Sequence, residues 1–111
     1  MNKLSEVTIG NVKVGDGNPT VFVAEIGTFF NQDITLAKEY LQTIATTGAQ
    51  IFKTEILHDP DVCLNTDLIH RYEHYSGFEE ENYRRLIERK CVPLSDYSEL
   101  FKECQRLGIP Y

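Results

Sequence analysis

The sequence predicts an α/β fold of strand-helix units on a parallel sheet, and three observations carry that prediction. Val21 to Gly27, Val-Phe-Val-Ala-Glu-Ile-Gly, is a short, almost wholly apolar run with one carboxylate, Glu25. A second such run, Gln50 to Leu57, follows one helix later and carries Lys53 and Glu55 among apolar neighbours. After a last helix and Gly108, Ile109-Pro110-Tyr111 opens what the pattern makes a third parallel strand. Strands buried on both faces read as continuous apolar runs, and their alternation with helices specifies either an open doubly wound sheet or an eight-stranded barrel.

Each element has a local reason. Val7 to Gly10 and Asn11 to Val14 alternate apolar and polar residues, and Gly15-Asp16-Gly17-Asn18-Pro19 supplies turn residues and a breaker, so residues 1–20 read as a short β-hairpin. No helix opens after Gly-Asp-Gly, which makes it a turn rather than a phosphate loop. Asn31 or Asp33 can cap a helix to about Thr47, in which Leu36, Ala37, Tyr40, Leu41, Ile44 and Ala45 recur at helical spacing. Gly48 stands where a left-handed cap is wanted. Asp59 to Tyr75 is polar, contains Pro60 and receives no assignment.

Further on, Ser76-Gly77-Phe78-Glu79 matches a capping box, and Glu80/Arg84 and Glu81/Arg85 stand four apart, so Glu79 to Lys90 reads as a solvated helix. Ser95 can cap the last helix, whose apolar stripe is Tyr97, Leu100, Phe101, Cys104 and Leu107. Two strands and the start of a third close neither candidate sheet, and a barrel takes about 250 residues. The expectation is therefore one unit, 1–111, that is the front part of a larger domain: hairpin 1–20, then the first barrel units over 21–111. Alone it is expected to be marginal or self-associating.

Composition excludes some functions. A net charge of −6 without a basic tract argues against a sequence-independent nucleic-acid binder, which needs clustered Lys and Arg. No apolar stretch reaches the roughly 18 residues of a membrane span, and Met-Asn-Lys-Leu-Ser-Glu lacks a signal-peptide core, so a cytoplasmic protein without membrane partners is expected. Cys63, Cys91 and Cys104 are odd in number and widely spaced, which favours neither a disulfide framework nor zinc.

Chemistry is sought at the charges inside the apolar runs. Side chains alternate along a strand, so Val21, Val23, Glu25 and Gly27 share one face, and Ile51, Lys53 and Glu55 share another. Phe22, Ile26, Phe52 and Ile56 should meet the helices. Glu25, Lys53 and Glu55 would then point into the barrel, near the carboxyl ends of neighbouring strands, where sites on this architecture lie. A Glu25–Lys53 ion pair could merely hold register. The functional alternative is a lysine cation for an anionic ligand, with a carboxylate opposite that accepts hydroxyls or a proton. His70 and His74, four apart with Glu73 beside them, could share a helical face, but they form no His-Glu-x-x-His signature and read as surface histidines. His58 could line the same mouth.

At these residues the sequence resembles the sialic acid synthase (N-acetylneuraminate synthase) family, transferases of carbohydrate and polysaccharide biosynthesis. Ala24-Glu25-Ile26-Gly27, Asn31-Gln32-Asp33, Leu36-Ala37-Lys38, Gly48-Ala49 and Phe52-Lys53 resemble the family's first two strands and the helix between them. Glu88-Arg89-Lys90-Cys91-Val92, Asp96 and Leu107-Gly108-Ile109 resemble its second helix and the approach to strand three. The resemblance covers residues 7–57 and 83–111. It implies a TIM (β/α)8 barrel that condenses phosphoenolpyruvate with an N-acetylated hexosamine into a nine-carbon sugar acid.

Lys53 would then contact phosphoenolpyruvate and Glu25 would lie in the sugar-aldehyde pocket, with Glu55 also binding substrate. The implied cofactor is a divalent metal, Mn or Mg, whose ligands lie in later strands and not in this chain. The implied assembly is a homodimer of the full-length protein. Where the family usually has Asn-His after the strand-one glycine, this chain has Phe29-Phe30, and where it usually has Gln after the lysine, this chain has Glu55. These departures motivate an alternative, a non-catalytic relative binding a sugar or anionic metabolite.

Overall fold

The computed structural model describes residues 5–63 and 67–111. The first four residues, part of the stretch inspected for a signal core, and residues 64–66 of the polar excursion lie outside the described residues. β1 (Glu6–Ile9) and β2 (Val12–Gly15) form the expected antiparallel hairpin, turning at Gly10, whose φ of 58° is left-handed. β3 (Val23–Gly27) and β4 (Ile51–Thr54) pair in parallel across α1 (Ile34–Ile44). That is the predicted strand-helix-strand unit.

The apolar stripe of α1 explains its placement. Ala37 and Leu41 are fully buried, and α3 (Leu94–Leu107) brings Tyr97, Leu100 and Cys104 against the same core as Ile26, Phe30, Phe52, Val92 and Ile109. Gly108 ends α3 with φ 71°, the left-handed cap read from the sequence. Beyond it, Pro110 offers its carbonyl to the Phe52 amide at 2.9 Å, so residues after the glycine run along the free edge of β4. The described residues are thus mixed α/β, with three two-stranded sheets and no closed barrel. No helix among them is long and apolar enough to cross a membrane.

Several expectations are corrected. Residues 79–90 are not one helix: β5 (Ile69–His74) and β6 (Gly77–Asn82) form an antiparallel hairpin, and α2 is confined to Tyr83–Glu88. Gly77, at φ 128°, lets the chain reverse where a capping box was read, and Asn82 caps α2 instead. The charges four apart find other partners, Glu80 with Arg71 across the ladder, Glu81 with Arg89, and Arg84 with Asp61 and Glu88.

At α1, Asp33 rather than Asn31 is the cap, accepting from the amides of Thr35 and Leu36, and the helix ends at Ile44, short of Gly48. Pro93, not Ser95, precedes α3, and no side chain caps it. Both core strands are shorter than predicted. Phe22 and Ile56 therefore fall outside them and are exposed, whereas Ile26 and Phe52 do pack under the helices.

Candidate functional site

Glu25 and Lys53 are register partners in the parallel ladder, and Lys53 Nζ lies 2.8 Å from Glu25 Oε2. Phe52 is buried in the core under the helices and Thr54 is buried against Tyr111, on either side of Lys53, so alternation turns Lys53 and its partner to the opposite face. The two segments pair side by side as the residue pattern predicted, though no closed barrel is present among the described residues for them to face into. Their side chains stay about half exposed, 55% for Lys53 and 41% for Glu25. Such a pair contributes roughly 0–1 kcal/mol to stability. Both groups remain open to a ligand.

Glu55 does not join them in the ladder. β4 ends at Thr54, and Glu55, exposed, donates its amide to the Gly27 carbonyl at 3.3 Å. The register slips between Glu25 and Gly27, where φ is 52°, so the strand-one alternation expected through Gly27 stops at Glu25. His58 lies further along the same connection. His70 and His74 stand on β5, not on a helix; His70 stacks on Tyr72, and His74 meets Ser76 and Glu79. Among the described residues, no group of three His, Cys, Asp or Glu side chains could hold a metal ion.

Two features of the mouth had no sequence signal. Asn31 and Gln32 are consecutive left-handed residues, at φ 50° and 63°, a region costing a non-glycine residue about 1–2 kcal/mol. Gln32 Nε2 donates to the Cys91 carbonyl at 2.6 Å, Asp33 caps α1, and Phe30 is buried edge-on against Tyr97, so the loop is fixed on three sides. Phe29 is left 83% exposed. The other feature is the Tyr97 hydroxyl, which accepts from the Leu57 amide at 3.0 Å and lies 3.2 Å from the Leu57 carbonyl. It holds the segment after β4 to α3. Burial pushes the Tyr97 phenol above its ordinary pKa, against the opposing effect of the Leu57 backbone contact.

Beside this mouth a cleft of about 750 Å³ follows β4, with Lys53, Thr54 and Ser98 as polar groups in a lining dominated by Val23, Ile51 and Phe101. Its volume is in the range of small-molecule sites. Thr54 is buried there, its hydroxyl 2.6 Å from that of Tyr111. Burial, partly offset by that hydrogen bond, raises the Tyr111 pKa.

No family model matches the chain. No solved structure gives a significant match either. Among curated proteins, the chain is 30% identical over 91 residues to a pseudaminic acid synthase of Helicobacter pylori, an alignment covering 82% of this chain and 27% of that protein. It is 29% identical over 96 residues to an uncharacterized protein of Methanocaldococcus jannaschii, covering 86% of this chain and 26% of the other. The chain therefore spans about a quarter of the length of the curated relatives it matches. The site geometry thus stands in a chain with a distant similarity to a pseudaminic acid synthase.

Proposed function

We propose that the chain supplies the first substrate-binding strands of a sugar-acid synthase on a TIM barrel, condensing phosphoenolpyruvate with the aldehyde of an amino sugar. The observation that carries this is the Glu25–Lys53 pair, held in register on adjacent parallel strands and open on the face away from the helices. A lysine ammonium suits the phosphate and carboxylate of phosphoenolpyruvate, and the carboxylate beside it can accept sugar hydroxyls. In the reaction, C3 of phosphoenolpyruvate forms the new carbon-carbon bond to the aldehyde carbon, water adds at C2, and phosphate leaves. Lys53 binds and orients the anion, and Glu25 holds the sugar.

Among the described residues no three His, Cys, Asp or Glu side chains cluster as metal ligands, and the divalent metal of such enzymes would be held by later strands outside this chain. The similarity to a pseudaminic acid synthase supports a sugar-acid reading.

The test is calorimetry with phosphoenolpyruvate. Lys53→Ala should abolish binding, and unchanged affinity would remove Lys53 from the site. Glu25→Gln should leave phosphoenolpyruvate bound as tightly or more tightly, because Lys53 loses its intramolecular partner, while weakening the sugar. A second reading, a binding module that takes a sugar or anion without turnover, is favoured by Phe29 at the mouth and by Glu55 outside the ladder. Binding of both substrates by the full-length protein with no phosphate release would select it.

A further inference from the structure

We propose that Phe29 is the specificity-determining residue of this mouth, a fixed aromatic platform for the C–H face of the sugar. The inference rests on the sugar-binding half of the reading above. Three successive backbone hydrogen bonds set the loop, from Phe29 to Ile26, from Asn31 to Thr28 and from Asp33 to Phe30, at 2.9, 3.2 and 2.9 Å. Of the two adjacent phenylalanines, Phe30 goes into the core and Phe29 is held out of it.

A mobile surface loop would not need consecutive left-handed residues or the Gln32 clamp to Cys91, and here both fix the base of an exposed ring. The ring flanks the end of β3: a Cβ added to Gly27 would stand 4.0 Å from Phe29 Cδ2. Glu25 is two residues before that glycine. An aromatic face carries negative charge density, so it favours the weakly positive C–H groups of a pyranose or an N-acyl methyl. A phosphate or carboxylate gains nothing from that face. Phe29 therefore acts on the sugar and not on the anion.

The full-length protein would be titrated separately with N-acetylmannosamine, N-acetylglucosamine and phosphoenolpyruvate, by calorimetry and proton NMR. Phe29→Ala should weaken one or both amino sugars about ten-fold, with phosphoenolpyruvate unchanged. Phe29→Tyr, which keeps the ring, should restore sugar affinity. Sugar C–H protons should shift upfield with the wild type and with Phe29→Tyr, but not with Phe29→Ala.

Wild-type sugar affinity in Phe29→Ala overturns the assignment, as does failure of the wild type to bind either sugar. A lower melting temperature of Phe29→Ala with unchanged sugar affinity overturns it too, making Phe29 a packing residue. Sugar binding that depends on Phe29, beside phosphoenolpyruvate binding indifferent to Lys53→Ala, keeps this inference and removes the anion half of the proposed function.

Discussion

The β3–α1–β4–α3 unit and the β5–β6 hairpin show two ways of holding a chain in one fold. In the first, Phe30, Ala37, Leu41, Phe52, Leu100 and Cys104 lose nearly all their solvent exposure, and the backbone follows the apolar stripes. In the second no residue is fully buried, and Ile69 and Phe78 stay more than half exposed. The hairpin is held by its ladder and by polar and ring contacts: Tyr72 with Glu79 and Glu81, Arg89 with Glu81, Arg71 over Phe78, and the stacked His70 and Tyr72. The radius of gyration reflects the difference, 17.5 Å against the roughly 13 Å of a compact chain this long. Burial creates cooperativity, while a solvated ladder opens by itself.

The largest test of that contrast is Phe52→Ala. Removing a fully buried ring should cost about 3–5 kcal/mol in denaturant unfolding, whereas Phe78→Ala on the hairpin should stay within about 0.5 kcal/mol. Equal losses would mean that the hairpin is part of the cooperative unit. Next in size is Tyr97→Phe, which leaves the Leu57 amide without its hydroxyl and should cost about 1–3 kcal/mol in the same measurement.

Acid should act more gently, at the seam between α1 and α3. Arg106, with Gln42, holds Glu103 down to about 2 from its ordinary 4.5. A depressed carboxylate contributes stability above 4.5 that is lost as pH falls through 2, so melting curves of Glu103→Gln and wild type should converge at the acid end. Smallest is the hairpin's own titration. Hydrogen bonds to Glu79 and Glu81 push Tyr72 up to about 12, so its contribution is complete below pH 10 and fades as pH rises through 12. Tyr72→Phe should speed hydrogen exchange in β5 and β6 while leaving the global unfolding midpoint in place.

The same contrast sets how much was legible in the sequence. Helices α1 and α3 and the two parallel strands could be read because burial imposes periodicity on Ala37, Leu41, Phe52, Tyr97 and Leu100. Alternation also carried the Glu25–Lys53 juxtaposition, since both residues sit in short apolar strands of known direction. The hairpin was misread because its stability comes from partners across the ladder. Glu80 faces Arg71 there, and nothing in the spacing of Glu80 and Arg84 distinguishes that from a helical pair. Phe29 and Phe30 are identical in type, and only the left-handed turn behind them decides which is buried. Glu55 was placed with Lys53 by extending β4 beyond Thr54, where the ladder stops.

Gly10 touches the opposite end of the chain. A Cβ there would come within 2.7 Å of the Pro110 ring, so the tip of the first hairpin rests against residues that follow the last helix. Contacts so remote in sequence bear the greatest loop-closure entropy, and they become favourable only after local structure has shortened the effective loop. The first hairpin should therefore be among the last elements to dock, with pulse-labelled exchange protecting the amides of α1 and α3 before those of β1 and β2. Gly10→Ala should delay that final step and leave the earlier ones untouched.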